Sequence, residues 1–261
     1  MATLNGRPAT AEDLLPLALT SLGHFTSMRV DAERRVRGLS MHLERLVRDC
    51  EVVWGATLDP DCVLTHIRLA LEGRDDVPCT IRVTVYDPAV NMGRPVDAVE
   101  PAVLVTVRPA GELSPPPMRV RSVRYERDLP LVKHTGLFGS LHIRRTAQAT
   151  GYDDALFIGP DDRVSEGVTW NIGFIDQNDS VVWPQAPVLP GVTMALLQQH
   201  AAHQVTPITL DEAKGMKAAF ATNVSVGVRA ISAIDHTPLA IEHPVLTTLR
   251  DAYRAIPGDT I

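Results

Sequence analysis

The sequence predicts an α+β fold in two domains. Strand-like alternation comes in clusters, helical periods stand apart from those clusters, and three consecutive prolines interrupt the chain near its middle. A chain of 261 residues can bury a sizeable core, as one large domain or two modest ones. The strand-like run Ala102-Val103-Leu104-Val105-Thr106-Val107 gives way to Pro109-Ala110-Gly111 and then to Pro115-Pro116-Pro117. Prolines cannot donate backbone hydrogen bonds and favour an extended, stiff connector. The expected division is a small N-terminal α/β domain over 1–110, a proline-rich linker over 111–118 and a larger C-terminal domain over 119–261.

Phe25 to Val30 reads as a strand. Leu39 to Trp54 is a helix by period, because Leu39, Leu43, Leu46, Val47, Cys50 and Trp54 share one stripe. Val63 to Leu71 follows as a second helix closed by Gly73. Ile81, Val83 and Val85 alternate with Arg82, Thr84 and Tyr86, the pattern of a half-buried strand. Later strands are expected at 119–124, 154–159, 171–175, 217–222 and 228–234, and helices at 137–149, 192–203 and 243–255. Turn signals at Gly159-Pro160-Asp161-Asp162 and Gln177-Asn178-Asp179-Ser180 separate the middle strands.

A formal net charge of −6 gives no footprint for nucleic acid or an anionic membrane surface. No run approaches the ~20 apolar residues that span a bilayer, and the first residues resemble no signal peptide. Cys50, Cys62 and Cys79 are odd in number and lack CxxC spacing, which argues against a disulfide framework or a zinc site. No metal is expected, and the compartment expected is the cytosol.

Four elements carry chemistry. Lys133 is one of three lysines beside 22 arginines, and it lies in the apolar stretch Leu129-Pro130-Leu131-Val132-Lys133-His134. An apolar setting disfavours the ammonium form, and a neutral amine attacks carbonyls. In isolation the plainer account, a buried stem with a solvated head, takes precedence. Glu166 follows a hairpin-like turn and enters an apolar run, where a turn-flanking surface glutamate is the ordinary reading. Val188-Leu189-Pro190-Gly191-Val192-Thr193 leads into a helical pattern whose first N–H groups and Thr hydroxyl suit a phosphate, although Thr and Pro also serve there as plain helix starts. Arg45 lies at the edge of the first helix's apolar stripe, as a phosphate fork or an exposed arginine.

In this order the pieces resemble the class IV aminotransferases, the fold-type IV enzymes that use pyridoxal 5'-phosphate. The resemblance rests on His42-Leu43-Glu44-Arg45-Leu46, the Lys133-to-Glu166 spacing, Glu166 through Asn171, and Leu189-Pro190-Gly191-Val192-Thr193. Smaller echoes are Phe25 to Val30, Ile81-Arg82-Val83 and Phe220-Ala221-Thr222-Asn223. The family includes branched-chain and D-amino acid aminotransferases and 4-amino-4-deoxychorismate lyase. The resemblance implies a D-amino acid aminotransferase-like fold with a β-barrel-like core in the larger domain. It also implies that Lys133 holds the cofactor as a Schiff base and moves the α-carbon proton, while Glu166 pairs with the pyridine nitrogen. Arg45, Val192 and Thr193 would bind the phosphate, Asn171 would support the glutamate's loop, and Ser225 would line a phosphate- or carboxylate-binding turn.

The same resemblance implies a homodimer acting on small-molecule partners, an amino acid and a 2-oxo acid. Arg124 and Arg127 are candidates for a substrate carboxylate near the domain boundary, against the reading of solvated linker charges. Departures from the family pattern are Met194 in place of a basic residue, Val168 in place of a small one, Gly173 in place of an aromatic, Pro184 in place of a threonine, Gly136 in place of an asparagine and Phe138 in place of a tyrosine. Near the amino terminus, Ser21-Leu22-Gly23 stands for a Gly-Asp-Gly-like turn. The expected function is amino-group transfer. A C–O lyase on the same scaffold is the first alternative, and a catalytically degenerate homologue the second.

Overall fold

Residues 2–98 and 100–261 are described by a computed structural model, and the chain divides into two compact units. The first takes the chain through Gly111 together with Val132–Gly136 and Pro257–Ile261. The second takes Glu112–Leu131 and Leu137–Ile256. Lys133, which the sequence groups with the later domain, therefore belongs to the first unit. The proline segment is tied into the second unit, where Ser114 N–H donates to the Val226 carbonyl and Arg229 Nε to that of Pro116.

In the first unit the alternating apolar residues build an antiparallel sheet from β1 (Ala2–Leu4), β2 (Arg7–Pro8), β3 (His24–Val30), β4 (Arg35–Val36), β5 (Cys79–Tyr86) and β6 (Ala102–Pro109). The pair Asp259–Thr260 joins it, giving the order Asp259–Thr260, β4, β3, β5, β6, β1, β2. Val83 and Val85 pair with Thr26 and His24, so the even residues of β3 share a face with the apolar residues of β5. Met28, Ile81 and Val83 then join one core with Leu43, Leu46 and Cys50 of α2 (Leu39–Trp54) and Val63 and Ile67 of α3 (Pro60–Leu71).

The helix α1 (Ala11–Thr20) has no counterpart in the sequence expectations. None of its residues is buried and it contains Pro16, so periodicity could not reveal it. Its remaining signal is the reciprocal capping box of Thr10 and Asp13. No side chain of the capping residue Gly38 closes the start of α2; the Leu39 N–H donates instead to the Asp259 carboxylate.

In the second unit the strands are β7 (Met118–Arg124), β8 (Asp154–Ile158), β9 (Val164–Gly167), β10 (Asn171–Ile175), β11 (Val181–Pro184), β12 (His203–Thr206), β13 (Ala218–Asn223), β14 (Gly227–Ile234) and β15 (Thr237–Pro238). Six of them close a ring in the order β10, β13, β14, β7, β8, β9 and back to β10. The link that closes it pairs Asn171 with Glu166. Met118, Val120, Leu156, Ile172, Phe174, Ala219 and Ile231 contribute to its core. The helices are α4 (Phe138–Ala149), α5 (Val192–His200), α6 (Leu210–Lys214) and α7 (Pro244–Ala255). The helix expected over 192–203 ends earlier because the chain turns extended at Ala201 and His203 starts a parallel ladder with Val181.

Two departures have a packing reason. Val168 is buried beside Ala147, Ala155 and Phe157. Gly173 lies opposite Phe220, whose ring stands edge-on to Trp183 at 5.2 Å and fills the space above the glycine. A Cβ on Gly173 would come within 2.4 Å of that ring. Among the described residues no helix is long and apolar enough to cross a membrane.

Gly173→Ala is expected to lower the unfolding free energy by about 1–3 kcal/mol through overpacking. Urea titration of both proteins measures this, and a variant as stable as wild type would show that Phe220 has room to move.

Candidate active site

The first unit holds its polar groups on one face of α2. His42, Arg45 and Asp49 fall at helical spacing, and all three are buried. Arg45 Nη2 donates to Thr26 Oγ1 at 2.6 Å, and that hydroxyl lies 2.7 Å from His42 Nδ1. The arginine can only donate, so the hydroxyl passes its own hydrogen to the histidine. Burial brings the Arg45 guanidinium down to about 10, which leaves it cationic at neutral pH. The exposed-arginine alternative is thereby removed.

Lys133 lies in a short segment docked on the start of β3. Its carbonyl accepts the Phe25 N–H at 2.8 Å, Thr135 N–H donates to the Gly23 carbonyl at 2.8 Å, and His134 bridges to His24 in antiparallel register. The Lys133 N–H donates to Asp49 Oδ2 at 2.9 Å. The amine stands 4.7 Å from the centre of the Phe25 ring, and the Arg82 guanidinium stacks on the same ring at 3.6 Å. Leu129 and Leu131 are exposed, so the apolar setting inferred from the flanking leucines is absent. The lysine's surroundings come from β3, β5 and α2 instead.

The second unit is organised around Glu166, which is buried rather than turn-flanking and exposed. Arg127 Nε donates to Oε1 at 2.8 Å, with both side chains 7% exposed. The Leu189 N–H donates to Oε2 at 3.2 Å. Across the strand pairing, Asn171 Nδ2 donates to the Leu189 carbonyl at 2.9 Å. Leu189 is thus gripped through both its N–H and its carbonyl, and it sits two residues before the glycine that opens α5. Gly191 has no side chain because a Cβ there would stand 2.1 Å from Asn171 Oδ1.

The turn from Glu166 to Asn171 is equally constrained. The Trp170 ring lies where a Gly167 Cβ would be, at 1.9 Å, and its Nε1 donates to buried Asp154 at 2.8 Å. Arg144 completes that network with a two-point contact to Asp154 and a bond to Thr169 Oγ1.

No side chain caps the start of α5. The buried Thr193 Oγ1 beside Val192 has no hydrogen-bond partner among the described residues, and neither has buried Thr222 Oγ1 on β13. Uncapped N–H groups at a helix start together with an unpartnered buried hydroxyl fit a phosphate. Ser225 is half-buried in the turn after β13, where its N–H and that of Val226 donate to Asn223 Oδ1 at 2.8 and 3.1 Å. Arg124 forms an exposed pair with Asp162 at 2.6 Å. The two arginines expected together at a substrate carboxylate are therefore separated in role, since Arg127 is engaged by Glu166.

The model of the amino-transferase class IV family matches residues 23–234. The chain belongs to that family. No curated protein sequence matches it. Among solved structures, it is similar to a candidate 4-amino-4-deoxychorismate lyase from Legionella pneumophila at 22% identity, with a TM-score of 0.85 and 96% of each chain covered. The branched-chain aminotransferase of the thermophilic archaeon Thermoproteus uzoniensis is 21% identical, with a TM-score of 0.85 over 97% of this chain and 93% of that one. The branched-chain amino acid aminotransferase of Escherichia coli is 16% identical, with a TM-score of 0.85 over 100% of this chain and 95% of that one. At these identities the structures establish the shared fold-type IV architecture.

Within this family member, Thr26, Asp49, Asn223 and Arg144 are supporting residues that sequence reasoning missed. Asp49 was legible in principle, because 42, 45 and 49 share a helix face that otherwise carries leucines. Thr26 and Arg144 act through partners distant in sequence, and Asn223 through its own turn and the Thr169 carbonyl.

Burial holds the His24 imidazole down at about 4, against a smaller opposing pull from Asp49, and pushes His42 well below its usual range. Both rings are neutral when folded, while the unfolded chain protonates near 6.5. The unfolded state therefore binds more protons below that pH, and stability falls as pH drops from 6.5 toward about 4. His24→Leu is expected to remove about 3 kcal/mol of that loss. Denaturant unfolding across this window tests it, and a pH slope identical to wild type would contradict the assignment.

Proposed function

We propose that this family member is a pyridoxal-phosphate-dependent aminotransferase, moving an amino group between an amino acid and a 2-oxo acid. The observation that carries the reading is the buried Glu166 carboxylate, with Arg127 on one oxygen and the Leu189 N–H on the other. A carboxylate so desolvated and so fixed in direction is suited to hold a single protonated ring nitrogen. When bound, pyridoxal phosphate supplies an electron sink for the substrate α-carbon. Lys133 would hold it through its amine and would be the group that moves the α-carbon proton. Arg45 offers its fork to the phosphate, and Val192 and Thr193 offer the start of α5.

Asn171 keeps Leu189 in place, and the Ser225 turn serves a phosphate or carboxylate. Arg127 acts through Glu166 rather than on substrate. The family resemblance supports a homodimer, and the cytosol is the compartment proposed. Similarity to the Legionella protein over 96% of both chains makes a C–O lyase the second reading. Release of pyruvate from aminodeoxychorismate without a 2-oxo acid acceptor would select it.

Purified protein with added cofactor should show a visible absorption band that Lys133→Ala lacks. One member of an amino acid panel should bleach it and yield the matching 2-oxo acid. Absence of the band in wild type would overturn the assignment. Arg127→Met should leave Glu166 buried without its cation, a loss of about 3–5 kcal/mol in stability or cofactor retention. Thermal unfolding and dialysis of the loaded protein read this, and an unchanged variant would remove Arg127 from the site.

A further inference from the structure

Asp49 is a buried charge to which the roles above give no task. It is fully buried on α2, one turn past Arg45. Its Oδ1 accepts Nε and Nη2 of Arg48 at 3.1 and 2.6 Å, and its Oδ2 accepts the Lys133 N–H at 2.9 Å. Burying a carboxylate is costly unless donors and a counter-charge compensate. An apolar residue on this leucine-rich stripe would avoid the cost entirely. The Lys133 main chain supplies a reason for keeping it. With its carbonyl taken by Phe25 and its N–H by Asp49, the main chain of this lysine is fixed to β3 on one side and to α2 on the other.

Charge gives a second reason. The titratable groups around Asp49 and Lys133 are His42, Arg45 and Arg48 from α2, His24 from β3, Arg82 from β5 through the Phe25 ring it shares with Lys133, and His134 in the lysine's own segment. Burial keeps His24 and His42 neutral at neutral pH, whereas the three arginines are cations. Asp49 is the carboxylate set against them.

We propose that Asp49 is the positioning residue of the reactive lysine: its buried carboxylate ties the Lys133 main chain to the helix that carries Arg45 and offsets the arginines around the amine. This rests on the reading of Lys133 as the cofactor amine. Phosphate arginine and amine then move as one block, and the cationic neighbours do not drive the lysine neutral too early.

With three lysines in the chain, amine labelling and peptide mapping read Lys133 against Lys214 and Lys217 within one molecule. The full chain without cofactor is labelled across a pH series as wild type, Asp49→Asn and Asp49→Ala. An amide has one acceptor oxygen for two facing donor groups, the Arg48 guanidinium and the Lys133 N–H, so the Asn variant keeps the volume and loses the charge. Loss of a neighbouring anion disfavours the ammonium form, so in both variants the Lys133 midpoint should move to lower pH by about one pH unit. Lys214 and Lys217 should not move. Asp49→Ala should also slow growth of the cofactor absorption band about tenfold, because the amine loses its fixed approach.

An Asn variant with wild-type circular dichroism and a wild-type Lys133 pH profile would overturn the proposal, whether or not the Ala variant folds. If wild type forms no band while the labelling midpoint still moves, the cofactor reading fails and the role of Asp49 stands.

Discussion

The pairing of Glu166 with Asn171 closes the barrel, and the organisation of the second unit depends on it. A six-stranded ring needs one last ladder, and here that ladder is a single residue pair. The same two side chains reach beyond the sheet and hold the N–H and the carbonyl of Leu189. Closure of the fold and orientation of the α5 start are therefore one structural event. Without it, the helix start would lose its fixed direction and the carboxylate one of its donors. Trp170 over Gly167, anchored by Asp154 and Arg144, keeps the intervening turn short enough for the pair to meet.

The first unit solves a related problem with a helix. Its sheet supplies Thr26 and Phe25, and α2 supplies His42, Arg45 and Asp49 along one line. These groups are desolvated, so their charges interact in a low-dielectric setting and small displacements carry large consequences. Thr26 links two of them by accepting from Arg45 and donating to His42. Such a relay is economical: one hydroxyl satisfies a cation and fixes the tautomer of a neighbour.

Much of this was legible in the sequence, for identifiable reasons. The α2 stripe and the β5 alternation are local patterns, and each survives into the fold. The class of fold followed from them. What sequence could not supply was partnership. Nothing near Arg127 announces Glu166, and the leucines around Lys133 suggested a burial that the exposed Leu129 and Leu131 do not provide. The helix α1 left little trace because none of its residues is fully buried and Pro16 interrupts it. Gly173 looked like a defect until Phe220, on another strand, accounted for the space.

The order in which the chain is made adds a constraint of another kind. The first unit is begun first, yet β3 receives its partner segment only when Val132–Gly136 has been synthesised. The start of α2 receives Asp259 later still, from 220 residues away. Nearly all of the barrel is encoded between those two segments. On the ribosome the opening sheet and its helix must therefore wait in an incomplete form while a second folding unit passes through. Contacts so distant in sequence slow the final step and leave apolar sheet surface open in the interval. The helix bearing Arg45 and Asp49 is thus among the first elements synthesised and the last to be completed.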